Sequence, residues 1–101
     1  GEDPELLPGP AGRLLPAAPN PFNPRTTLRF TLARAGPVEL VVHDLAGRHL
    51  RTLISGERPA GTHRVRWDGR TDTGRALPSG VYLVRLRSVG VVESQRVTLV
   101  R

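Results

Sequence analysis

The sequence predicts an all-β protein, an antiparallel β-sandwich of about seven short strands preceded by an extended N-terminal arm. Three observations predict it. From Thr26 onward, apolar and polar residues alternate with a period of two in segment after segment, as in strands with one buried face. Turn residues separate these segments at roughly ten-residue intervals, the spacing of a sandwich. No segment sustains the 3.6-residue period of a helix.

Seven of the ten prolines fall within the first 24 residues. Proline fixes φ and has no N–H to donate, so this stretch reads as extended linker. Residues 1–13 are expected to be the arm and 14–101 the sandwich. Leu28, Phe30 and Leu32 alternate with Thr27, Arg29 and Thr31 in a first half-buried strand. After a turn at Ala35-Gly36-Pro37, Val38, Leu40 and Val42 share a face opposite Glu39, Val41 and His43. Asp44 to Arg48, with Gly47, is a hairpin turn. A short strand with Leu50, Leu53 and Ile54 follows, and Gly56 to Gly61, with Pro59, turns again. His63, Val65 and Trp67 alternate with Thr62, Arg64 and Arg66, placing Trp67 inward. Asp68-Gly69 through Gly74 is a long polar turn, and Pro78-Ser79-Gly80 is a second breaker. Tyr82, Val84 and Leu86 face inward, opposite Leu83, Arg85 and Arg87; Val89-Gly90 then turns into a last strand with Val97 and Leu99 inward.

Length and composition narrow the function classes. A chain of 101 residues fits one domain with one small core. The absence of cysteine excludes disulfides, thiolate zinc sites and cysteine nucleophiles. No apolar run approaches the ~18 residues that span a bilayer, so no membrane insertion is expected. The first residue is Gly rather than Met, as expected of a processed product or an excised module. The formal net charge is +6, and all 15 basic residues are arginine. It is unevenly spread. Glu2, Asp3 and Glu5 give residues 1–11 a charge of −3, leaving +9 on the remainder. Such a body permits nucleic-acid or anionic-surface binding, although codon bias toward arginine accounts for the same composition.

Candidate chemistry fails on spacing. His43 and Asp44 are adjacent, so on a strand they point to opposite faces and cannot clamp one ion. His49 and His63 lie on different strands without a metal-ligand spacing, so three separate surface or core-edge histidines are expected. None of Ser55, Ser79, Ser88 and Ser94 sits in a nucleophile elbow. The loop from Asp68 to Gly74 lacks the alternating acids and closing glutamate of a calcium loop, and Asp68 is expected to cap loop amides instead. The outward Arg29, Arg64, Arg66, Arg85 and Arg87 would form stripes across the sheet faces. The aromatics that stack single-stranded nucleic acid are missing beside them, because Phe22, Phe30, Trp67 and Tyr82 all look inward.

The assembled motifs resemble a known family. Asn20-Pro21-Phe22-Asn23-Pro24-Arg25-Thr26 with Leu28 and Phe30 opens the resemblance, followed by Val38-x-Leu40-x-Val42-His43-Asp44-Leu45-Ala46-Gly47-Arg48. Ala60-Gly61-x-His63-x-Val65-x-Trp67-Asp68-Gly69, Ser79-Gly80-Val81-Tyr82 with Arg85-Leu86, and a closing Val97-x-Leu99-Val100 complete it. In order and spacing, residues 14–101 are similar to the Ig-like domain of the flagellar hook-capping protein and to the C-terminal sorting modules of the type IX secretion system. His43 stands where the family usually has tyrosine. The closing run Gln95–Arg101 carries arginine where the sorting modules usually have lysine.

The resemblance implies an Ig-like, fibronectin III-like sandwich in which Phe22, Phe30, Leu40, Trp67, Asp68, Gly69, Gly80, Tyr82 and Leu86 are structural. It implies no active site and no cofactor. It implies instead a bacterial extracellular or cell-surface module working by protein–protein contact. The partner would be a parent polypeptide, the secretion machinery or identical subunits in a filament; carbohydrate or cell-wall binding is a weaker alternative. The expected contact residues are Glu2, Asp3, Glu5, Leu6 and Leu7 on the arm and Arg64, Arg66, Arg85 and Arg87 on the sheet faces.

Overall fold

The structure, a computed structural model, describes residues 11–101. Seven strands run in order: β1 Gly12–Leu14, β2 Thr26–Leu32, β3 Gly36–His43, β4 His49–Arg58, β5 Gly61–Trp67, β6 Gly80–Ser88 and β7 Val91–Leu99. They form two antiparallel sheets, a three-stranded one in the order β1-β2-β5 and a four-stranded one in the order β4-β3-β6-β7. The all-β sandwich expected from the sequence is therefore present. Leu28, Phe30 and Leu32 from one sheet meet Leu40, Val42, Val84, Leu86, Val97 and Leu99 from the other in a single core. Period-two alternation produces this directly, since every second side chain of a strand lies on the same face.

Several boundaries differ from the sequence expectation, and β3 takes in Gly36 and Pro37 of the expected turn while β6 starts at Gly80. β4 continues through Gly56 and Glu57 to Arg58, because Gly36, Pro37 and Val38 of β3 supply ladder partners for that stretch. Only Pro59 and Ala60 are left for the turn into β5. At the N-terminus, Gly12, Arg13 and Leu14 pair with Leu32, Thr31 and Phe30, so β1 straddles the expected border between 13 and 14. A methyl group on Gly12 would collide with the Thr31 carbonyl oxygen, so glycine alone fits this approach. The rest of the expected arm, residues 1–10, lies outside the described residues.

The segment after β1 joins the two sheets. Leu15 N–H donates to the Arg29 carbonyl (2.8 Å), and Ala18 exchanges backbone bonds with Thr27 of β2. On its other side the segment meets β7. Leu14 N–H donates to Glu93 Oε1 (2.6 Å), Ala17 N–H donates to Gln95 Oε1 (2.9 Å), and Gln95 Nε2 donates to the Leu15 carbonyl (2.6 Å). Asn20 continues the seam, its Nδ2 donating to the Arg96 carbonyl and its Oδ1 accepting from Thr98 N–H. Phe22 ends it with backbone bonds to Thr98 and Val100, both 2.8 Å. Glu93 and Gln95 share the strand parity of Val91 and Val97. They are polar there because the neighbouring backbone needs partners.

Replacing Gln95 with Ala deletes two bonds of this seam and leaves the Ala17 N–H and the Leu15 carbonyl unpaired. The expected cost is about 1–3 kcal/mol, read as a lower urea midpoint with an unchanged slope.

Candidate functional site

The aromatic motif residues converge on one end of the sandwich, and they do so as packing. Trp67 is fully buried, with the Phe22 ring centroid 5.4 Å away and Tyr82 edge-on at 5.8 Å. The indole N–H donates to the Arg70 carbonyl (3.0 Å), and the Tyr82 hydroxyl donates to the Pro78 carbonyl (2.6 Å). Burial raises the Tyr82 phenol above its ordinary value, with nearby Arg101 opposing and Asp44 adding to the shift. Asp68 is partly buried and accepts from Arg70 N–H (3.1 Å), the loop cap expected of it. Gly69 has φ +72°, and a methyl group there would press on Arg101 Nη2, the Pro24 carbonyl and Leu99 within 3.1–3.3 Å. Arg101 closes this end, donating from its guanidinium to the Leu77 and Gly69 carbonyls and from its N–H to Ser79 Oγ. Phe30, Leu40 and Leu86 are fully buried, and Gly80 opens β6 above the Tyr82 ring.

The turn at Asp44 is held the same way. Asp44 Oδ1 accepts from the Ala46 and Arg48 N–H groups, both 2.9 Å, and Oδ2 pairs with Arg48 Nε at 2.8 Å. The Arg48 N–H, with its guanidinium, lowers the Asp44 carboxyl below its ordinary value despite an opposing desolvation effect.

The histidines correct one expectation. His43 and His49 are cross-strand partners whose rings lie 6.1 Å apart, so they are not three separate side chains. Antiparallel register brings them together, which their spacing in the sequence does not reveal. His49 Nε2 lies 2.8 Å from Thr52 Oγ1 and 3.7 Å from Asp72 Oδ2, while His63 bonds the Pro59 carbonyl and stacks on Phe30. Among the described residues, no group of three or more His, Cys, Asp or Glu is placed to hold a metal ion. No helix of the described residues is long and apolar enough to cross a membrane.

The candidate contact arginines divide between two faces. Arg64 and Arg66 are exposed on the outer side of β5, where Arg64 stands directly opposite Arg29 and Arg66 opposite Thr27 of β2. Arg85 and Arg87 are exposed on β6 of the other sheet, opposite Val41 and Glu39 of β3. The fold therefore separates the two pairs instead of uniting them. Arg87 and Glu39 also border an open groove of about 550 Å³ with Pro37, Ser55 and Val89. Glu2, Asp3, Glu5, Leu6 and Leu7 lie outside the described residues. Sequence reading passed over Arg25 and Arg13, which join Arg29, Arg64 and Arg66 on the outside of the three-stranded sheet. Arg25, Thr27 and Arg66 line one groove there, and Arg13 stands opposite Thr31. The signal for Arg25 was its strand parity with Thr27 and Arg29.

Comparison with known proteins bears on this arrangement. The family model described as the FlgD Ig-like domain matches residues 23–90, more than half of the chain. The basal-body rod modification protein FlgD of Salmonella typhimurium is 38% identical over 52 residues, which are 52% of this chain. The match spans only 22% of that relative's length. Among solved structures, dimeric latent PorU from Porphyromonas gingivalis superposes with a TM-score of 0.70 at 19% identity, over 88% of this chain and 9% of that one. PorZ of Porphyromonas gingivalis, described as an essential bacterial surface component of the type IX secretion system, gives 0.60 at 23% identity, over 87% of this chain and 11% of that one. At these identities the two structures share the fold with this chain.

Trp67→Ala should cost about 3–5 kcal/mol by chemical denaturation, as for a large buried aromatic. Leu45→Ala, at a side chain 58% exposed, should stay within about 0.5 kcal/mol. Because the folded Asp44 carboxyl is shifted down, its contribution is complete above its ordinary value of 3.8 and is lost as the pH falls below it. The thermal midpoints of the native protein and Asp44→Asn should thus differ by a constant amount above about pH 5 and converge in stronger acid.

Proposed function

This chain belongs to the FlgD Ig-like domain family, and from that premise we propose that it is a non-catalytic extracellular or cell-surface module acting by protein–protein contact. In this reading it serves as the sorting or surface-attachment domain of a secreted bacterial protein. The observation that carries it is that the motif residues Phe22, Trp67, Gly69 and Tyr82 are consumed by packing and loop closure. What such a module offers a partner is its folded outline and its charged faces. The likeness of fold to PorZ, described as a surface component of the type IX secretion system, supports a place in type IX export. A reporter carrying the full chain at its C-terminus should be exported by a bacterium with that system. Export no better than that of the bare reporter would remove the sorting role.

A second reading is a self-assembling subunit of an extracellular filament. It is favoured by the concentration of −3 in residues 1–11 against +9 in the remainder, and by β5, which edges its sheet without a further strand among the described residues. An interface of unlike surfaces on one chain builds open polymers when the rotation between copies does not close. Light scattering should then grow with concentration at low salt, whereas a constant monomer mass would sink this reading.

A further inference from the structure

The outer face of the three-stranded sheet is chemically one-sided. β1, β2 and β5 contain no acidic residue. Arg13, Arg25, Arg29, Arg64 and Arg66 share this face with Thr27, Thr31 and Thr62, by register and strand parity. Arg29 and Arg64 are direct cross-strand partners, an arrangement that costs stability because like charges face each other at close range. Arg13 pairs with Glu93 at 3.5 Å, while Arg25, Arg29, Arg64 and Arg66 make no ion pair with another described residue. The six acids of the described part stand elsewhere: Glu39 and Glu57 on β3 and β4, Asp44, Asp68 and Asp72 in turns, and Glu93 on β7.

We propose that this arginine face is the docking surface for the acidic segment Glu2–Glu5 of a second copy of the chain. The inference rests on the self-assembly reading and names its contact. Charge complementarity selects the occupant: residues 1–11 hold the chain's other three acids and no base. The threonine hydroxyls beside the arginines add neutral donors for carboxylate oxygens, and guanidinium groups bind carboxylates in two-pronged fashion. Docking in trans is what the self-assembly reading requires, and the prolines favour it. Pro4, Pro8 and Pro10 bias the segment and the residues before them toward an extended course. At ~3.1 Å per residue, six residues of such a course span about 19 Å. Ala11 is tied to Ala33, at the end of the sheet where β2 finishes. A bias toward an extended course favours reaching a neighbouring copy over folding back onto the same sheet.

The test is sedimentation velocity of the full chain at low ionic strength across a concentration series. Self-association is expected, and it should vanish near 1 M salt, where the screening length falls to ~3 Å. Arg25→Ser/Arg64→Ser/Arg66→Ser, three exposed positions whose loss should not lower the thermal midpoint, should weaken association about tenfold. Glu2→Gln/Asp3→Asn/Glu5→Gln should weaken it equally, and combining both sets should add nothing further. Arg85→Ser/Arg87→Ser, on the opposite face, should leave it unchanged. A monomer at every concentration overturns the inference and the self-assembly reading together. Association that ignores the Arg25/Arg64/Arg66 set, or that Arg85/Arg87 weakens as much, overturns the docking surface while self-assembly stands.

Discussion

The fold depends on one seam, where the chain between Leu14 and Phe22 lies along β7. Two stacked sheets leave edges whose N–H and C=O groups need partners, and here side chains provide them. Glu93, Gln95 and Asn20 bond across the gap to backbone on the other side. The backbone bonds of Phe22 to Thr98 of β7 and to Val100 just beyond it then set its ring against Trp67. Trp67 in turn requires the Arg70 carbonyl, and the loop bearing it is held by Arg51, Asp72 and Arg101. The seam thus aligns the sheets, seats the aromatic end and orders the long loop in one chain of dependence.

A domain of this size has few large side chains, and these are spent inward. With Phe22, Phe30, Trp67 and Tyr82 all buried, no aromatic platform remains for bases or sugar rings. The described exterior is left mainly with charged side chains, hydroxyls and scattered aliphatic residues. Its charge is sorted by sheet: acids and arginines mix around the four-stranded sheet, and arginines alone cover the three-stranded one. The long polar loop belongs to the first side, since Asp72 caps the β4 edge by accepting from Thr52 N–H and donating its own N–H to the Leu50 carbonyl.

Much of this was legible in the sequence, and the reason is local. The alternation around Phe30, Leu40, Trp67, Tyr82 and Val97 marks one face of each strand, and a face is a local property. The Asp44–Arg48 turn is likewise written in neighbours that bond one another. The extension of β4 to Arg58 and the strand at Gly12 were not legible. Their residues have no strand pattern of their own and pair because β3 and β2 present open ladder positions beside them. The polar Glu93 and Gln95 at inward parity were a visible sign of missing backbone partners, although those partners lie nearly eighty residues away.

The sequence alone determined an all-β sandwich, its inward residues, its hairpin turns and the split between an acidic N-terminal segment and a basic body. Those follow from side-chain periodicity, turn chemistry and charge, each of which acts between near neighbours. Only the tertiary structure decided which arginines share a face. Arg29 and Arg64 became opposed partners, and Arg64 and Arg85 were set on different sheets, because strand pairing and register join residues far apart in the chain. The family signature follows the same division, for its spacing is local while the aromatic contact of Phe22, Trp67 and Tyr82 is assembled across both sheets.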